Sequence, residues 1–147
     1  MMTKVLFVCT GNTCRSPMAE AILKSKKIAG IEVRSAGVYA VDGADLSPQA
    51  KQVLEDEQIS FSHQSKLLQQ EDMDWADLIL TMTAQHKQYL QDRYPDAAGK
   101  IYTLKEYAGE TDPDVVDPFG GPVSLYKQTF SELQSLIERI VEKIVTG

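Results

Sequence analysis

The run Val5 to Cys9, VLFVC, is apolar at every position, with no polar residue on alternate sites. A β-rich segment without alternation is buried on both faces, and such strands belong to parallel sheets covered by helices on either side. The spacing predicts a first strand over Lys4 to Val8. The run is too short for a signal-peptide core or a membrane span, so the chain is expected in the cytoplasm and away from membranes. Thr10, Gly11 and Asn12 interrupt it, and a helix start follows: Ser16 and Pro17 as N-cap and N1, with Met18, Ala21, Ile22 and Ser25 at helical spacing.

Strand, loop and helix then recur. IEVRS (31 to 35) reads as a second strand ending at Ala36-Gly37, and Ser47-Pro48 begins a helix with Ala50, Val53 and Leu54 inward and Glu55 to Glu57 outward. A short helix is expected over Leu67 to Ala76, a strand over Asp77 to Met82, a helix over Thr83 to Tyr94 stopped by Pro95, and a strand over Lys100 to Leu104. After a turn-rich segment from Ala108 to Pro122, Tyr126, Phe130, Leu133, Ile137, Ile140, Val141 and Ile144 mark one buried stripe of a last helix. The class is α/β, a parallel sheet with right-handed crossovers and helices on both faces. The 147 residues make one domain, 1 to 147, able to bury about two thirds of the surface of the unfolded chain. In such folds ligands bind beyond the carboxyl ends of the strands, and the first of these ends at Cys9.

A net charge of -6 with no Lys/Arg-rich block argues against nucleic acid or an acidic membrane surface as partner, so any bound anion must be held locally. Cys9 and Cys14 cannot staple a domain of this length, and with only two histidines the chain matches no zinc pattern, so both are expected as thiols.

Gly11 takes positive φ freely and Asn12 tolerates the left-handed region, so the backbone is expected to curl there and turn its N–H groups inward. The following helix adds free N–H groups and the positive end of its dipole. The product is a cradle the size of a phosphate. It is not the nucleotide version, since GxxxxGK[ST] is absent and no GxGxxG follows the strand. Inside it, Cys9 lies where amide dipoles and Arg15 would stabilise a thiolate nucleophile. The Arg15 fork can hold two phosphoryl oxygens, and Ser16 can donate to the Cys9 sulfur. A cysteine ending a buried strand is usually just a small hydrophobe; strand, Gly-Asn curl, Arg15 and Ser-Pro together favour the chemistry.

CTGNTCRSPMAEA, residues 9 to 21, closely resembles the catalytic loop and first helix of the low-molecular-weight protein tyrosine phosphatases, whose loop reads C-x5-R-S. RSAG at 34 to 37, ADLILTM at 76 to 82 and DVVDPFGG at 114 to 121 fall where that family has its counterparts, so the resemblance spans the chain. It implies a single-domain three-layer sandwich with sheet order 2-1-3-4, no metal and no organic cofactor. It also implies a two-step mechanism: Cys9 attacks phosphorus, Arg15 and the loop amides hold the phosphoryl oxygens, and water hydrolyses the thiophosphate. Asp117 in DPFGG would be the general acid, although by its surroundings alone it reads as a turn aspartate before Pro118. Thr10, Gly11, Asn12, Thr13, Cys14 and Phe119 would contact substrate, with Ser16 in support. Asn12 would be held by Ser35, with His63 nearby; HQSK alone reads equally as a surface histidine.

Two positions depart from the tyrosine-specific pattern. Thr13 stands where a larger aliphatic residue is usual, and DPFGG has one aromatic, Phe119, where two adjacent ones are common. A smaller, partly polar wall suits a planar charged guanidinium better than a phenol ring. The loop with Thr13 and DPFGG is similar to the bacterial protein-arginine phosphatases of this family, which implies phosphoarginine in proteins as substrate, phosphotyrosine being the alternative. A monomer is expected. Oxidation is expected to join Cys14 to Cys9, the other reading of Cys14 being a packing residue. A thiol-dependent arsenate reductase would need relay cysteines, and none follows Cys14. A module that merely binds phosphoresidues would need neither the loop thiol nor Asp117.

Overall fold

The computed structural model describes residues 2–146. In chain order the elements are β1 (Thr3–Cys9), α1 (Arg15–Ser25), β2 (Ile31–Gly37), α2 (Pro48–Asp56), α3 (Gln70–Trp75), β3 (Leu78–Thr81), α4 (Ala84–Arg93), a 3-10 turn (Pro95–Lys100), β4 (Ile101–Thr103), α5 (Leu104–Tyr107) and α6 (Val123–Thr146). All strand pairs are parallel, in the expected order β2-β1-β3-β4.

The apolar run of β1 divides between two cores. Val5, Phe7 and Cys9 face α1, α2 and α6, whereas Leu6 and Val8 face Met73 of α3 and Leu90 of α4. Every one of these side chains is essentially inaccessible, which is why no polar residue alternates, and each large apolar one contributes about 1.5–3 kcal/mol. From β1 the chain crosses to β2 on one side, then to β3 on the other. The switch point therefore lies between the carboxyl ends of β1 and β3.

Several boundaries differ from the sequence reading. Helix α1 begins at Arg15 with Cys14 at its N-cap, not with Ser16 as cap and Pro17 at N1, because the Ser16 hydroxyl is engaged elsewhere. Pro17 still falls in the first turn, where its missing N–H costs nothing. Helix α3 starts at Gln70 instead of Leu67: Leu67 bridges to Gly37, and Gln69 with Asp72 forms the capping box. The fourth strand stops at Thr103, which caps α5 through Glu106, and the 3-10 turn follows Pro95. In α6, Val141 and Ile144 are only half-buried, while Leu136 joins the core. No helix among the described residues is long and apolar enough to cross a membrane.

Candidate active site

Beyond Cys9 the chain wraps around one side chain, that of Asn12. This residue adopts the left-handed conformation (φ 56°) and is fully buried. Gly11, expected to share that conformation, has no positive φ, so the curl is made by Asn12 alone. Asn12 is held by its hydrogen bonds: Nδ2 donates to Ser16 Oγ at 2.8 Å and Ser35 Oγ at 2.9 Å, and Oδ1 accepts from the Lys66 N–H at 2.9 Å. Its carbonyl accepts from Ser65 Oγ at 2.7 Å and His63 Nε2 at 2.8 Å. Such a count offsets the roughly 1–3 kcal/mol cost of a non-glycine residue in this region. Ser35 in turn donates to the buried Glu20 at 2.5 Å. The expected Asn12–Ser35 pair is present, and His63 belongs to the network, stacked on Phe61.

Gly37, at the end of β2, is under steric demand from the loop. A Cβ there would meet the Thr10 carbonyl oxygen at 2.5 Å and the Asn12 nitrogen at 2.9 Å. The next two N–H groups, of Val38 and Tyr39, donate to the Cys9 and Thr10 carbonyls at 3.0 and 2.9 Å.

This scaffold presents two donors to the buried Cys9 sulfur: the Asn12 N–H at 3.3 Å and the Ser16 hydroxyl at 2.8 Å. Both are placed to donate to sulfur as it gathers charge on leaving phosphorus. The opening turn of α1 carries no acidic residue and no side-chain cap, which leaves its N–H groups and dipole available to an anion. Arg15 is buried, 4% exposed. Its Nη1 donates to the Val115 carbonyl at 3.0 Å, and Nη2 lies 3.6 Å from Asp117 Oδ2. Its Nε is buried without a partner among the described residues. An Arg held in this way, next to uncapped amides, has the donor set for phosphoryl oxygens.

Asp117 divides its two oxygens. Oδ1 accepts from the Phe119 N–H at 3.0 Å, while Oδ2 faces Arg15 with the side chain half exposed. Phe119 projects into solvent, 76% exposed, with Val41 and Val116 also exposed. Thr13 is half-buried and its carbonyl takes the Ser47 N–H at 3.0 Å. Cys14 lies in the core cluster with Tyr126, and burial, with the Cys9 charge second, pushes its thiol up to about 11. Both cysteines are free. Among the described residues no group of three His, Cys, Asp or Glu side chains is placed to hold a metal ion.

The model of the low molecular weight phosphotyrosine protein phosphatases matches residues 4–146. The chain belongs to that family. Among its relatives, a protein-arginine-phosphatase of Geobacillus stearothermophilus is 48% identical over 146 residues, covering 99% of each chain. A low molecular weight protein-tyrosine-phosphatase PtpB of Staphylococcus haemolyticus is 44% identical over 137 residues, 93% of this chain and 96% of that one. The solved YwlE arginine phosphatase from Geobacillus stearothermophilus superposes with a TM-score of 0.96 at 48% identity, over 98% of this chain and 94% of that one.

Membership makes this chain a cysteine-dependent phosphatase, and the sequence reading missed four neighbours of its loop. Val115 supplies the carbonyl that holds Arg15, and Ser65 and Lys66 supply donors to Asn12; none carries a local sequence signal. The fourth is His86 on α4, whose Nε2 lies 2.8 Å from Thr10 Oγ1.

Proposed function

We propose that this chain is a protein-arginine phosphatase that removes the phosphoryl group of phosphoarginine through a cysteinyl-phosphate intermediate. The observation that carries the chemistry is the Cys9 sulfur with two hydrogen-bond donors, inside a loop whose buried Arg15 keeps an uncommitted Nε. Cys9 attacks phosphorus, a P–S bond forms and the P–N bond breaks, and Asp117 gives its proton to the leaving nitrogen. Water then attacks the thiophosphate with its proton going to the Asp117 carboxylate, and the P–S bond breaks to return the thiolate. Arg15 and the loop amides from Thr10 to Cys14 hold the phosphoryl oxygens as charge redistributes. Ser16, Ser35 and His63 act through the loop and do not touch the substrate.

Three features support arginine as the side chain. Thr13 gives a short, partly polar wall, and Phe119 offers a single exposed aromatic clamp. Once protonation is complete, the Asp117 carboxylate faces a guanidinium, which it can pair bidentately. The identity of 48% with an arginine phosphatase supports the same reading, and the identity of 44% with a tyrosine phosphatase keeps phosphotyrosine as the second. The protein works as a cytoplasmic monomer, one domain over residues 1–147, on phosphorylated protein substrates.

The test is steady-state kinetics of wild type and Thr13→Ile on matched phosphoarginine and phosphotyrosine peptides. Wild type is expected to prefer phosphoarginine, and Thr13→Ile to shift the ratio toward phosphotyrosine. A ratio unchanged by the substitution, or a wild type that prefers phosphotyrosine, removes the arginine assignment.

A further inference from the structure

His86 occupies the third position of α4, and its backbone N–H is held by Thr83 Oγ1 at 3.1 Å. Ala84, Gln85 and Gln88 around it are exposed, yet its own imidazole is turned inward and only 8% exposed. Nε2 meets Thr10 Oγ1 at 2.8 Å. Nδ1 is buried and has no partner among the described residues. The charged groups that act on the ring are Arg15 of α1, and Asp114 and Asp117 of the segment before α6.

The unpartnered Nδ1 decides the tautomer. A proton there would bury an N–H with no acceptor, whereas a bare lone pair leaves no donor unmet. The doubly protonated ring meets the same obstacle, and burial, then Arg15, bring the imidazole down to about 4. Near neutral pH the ring is therefore uncharged, with its hydrogen on Nε2.

We propose that His86 is a positioning residue for the phosphoryl cradle: its Nε2–H donates to Thr10 Oγ1 and leaves the Thr10 hydroxyl hydrogen to donate to a phosphoryl oxygen. The inference rests on the reading of the loop as a phosphoryl site. Thr10 is the first residue after Cys9 and is exposed at the mouth of the loop. A phosphoryl oxygen is acceptor-only, so it can be met by the Thr10 hydroxyl only if that hydroxyl still has its hydrogen to give. With the opposite tautomer, Thr10 would spend its hydrogen on His86 and turn lone pairs toward the phosphoryl oxygens. The neutral ring also keeps a second positive charge away from Asp117.

The experiment measures kcat/KM on a phosphoarginine peptide, and the inhibition constant of inorganic phosphate, for wild type, H86Q, H86N, H86L, T10V and H86L/T10V. The Gln amide nitrogen can donate from the position of Nε2, while the Asn side chain is too short to reach Thr10. H86Q is expected to retain most of the wild-type value. H86N, H86L and T10V are each expected to lose roughly tenfold or more in kcat/KM and to bind phosphate more weakly. H86L/T10V is expected to be no worse than T10V alone. H86N and H86L with wild-type kinetics and phosphate affinity, H86Q as impaired as H86N, or effects that multiply in the double variant would overturn the proposal. Thermal unfolding is recorded alongside; if H86L does not fold, H86N and H86Q decide. Wild-type turnover of a chromogenic aryl phosphate is the control, since its failure would strike the phosphatase reading and not this one.

Discussion

The Ser16 hydroxyl lies 2.8 Å from the Cys9 sulfur while accepting a hydrogen bond from Asn12 Nδ2, also at 2.8 Å. With Asn12 donating to its oxygen, Ser16 has its own hydrogen left for the sulfur. That polarity matters most when the thiophosphate breaks down and sulfur must leave as a thiolate. Ser16→Ala should lower kcat by about tenfold or more through the second step. Rapid mixing with a chromogenic aryl phosphate should then show a burst of aryl alcohol followed by slow turnover. A variant with wild-type kcat would remove Ser16 from leaving-group stabilisation.

Asp117→Asn keeps an acceptor for the Phe119 N–H, so the turn should survive. What disappears is the proton. On a phosphoarginine peptide kcat/KM, which reports the step in which the leaving group departs, should fall by about 10²–10⁴-fold, with a much smaller loss of kcat/KM on an aryl ester whose leaving group needs no protonation. Equal losses on both substrates would show that the carboxylate acts in another way, for instance by holding Arg15 at 3.6 Å.

Gly37→Ala tests how closely β2 abuts the loop. The added Cβ would lie 2.5 Å from the Thr10 carbonyl oxygen and 3.0 Å from Ala40 Cβ, contacts that only backbone movement relieves. A loss of about 1–3 kcal/mol in urea unfolding is expected, with a lower kcat/KM because the displaced atoms belong to the cradle. Unchanged stability would mean that the strand end yields freely.

Cys14 gives a pH signature. Its thiol is held at about 11 against an ordinary value of 9.0, so the fold favours its uncharged form. That contribution is complete below pH 9 and is lost as pH rises from 9 toward 11, amounting to roughly 2–3 kcal/mol at most. Urea unfolding of wild type at pH 8 and 10.5 should therefore show a larger fall than Cys14→Ala does. At neutral pH a thiol-alkylating reagent should label Cys9 and spare Cys14, whose raised thiol stays uncharged; preferential labelling of Cys14 would contradict that shift.

Residues whose roles are decided by near neighbours in the chain were readable in advance. VLFVC announced a doubly buried strand, Ser47-Pro48 a capped helix, and the Asn of GN a left-handed turn. Gly11 misled because conformational freedom is permission, not requirement, and the loop used Asn12 instead. Ser16 looked like a cap because the Ser-Pro pattern is local, whereas its partners Cys9 and Asn12 are set by the fold of the loop. TLKE at 103 to 106 is a capping-box pattern, and in the fold it starts α5 and ends the strand at Thr103. His86 could not be found in this way: its partner Thr10 lies 76 positions earlier, and HKQY on a helix reads as surface.

The hydrogen bond from Arg15 to the Val115 carbonyl spans 100 positions of sequence. At synthesis rates of about 5–20 residues per second, the thiol-bearing loop leaves the ribosome roughly 5–20 s before the residue that fixes its arginine. Throughout that interval the loop has its cysteine but neither the arginine clamp nor Asp117. Hydrolytic power is therefore acquired late, as a property of the finished chain, and a nascent or truncated polypeptide cannot erase phosphoryl marks on its neighbours.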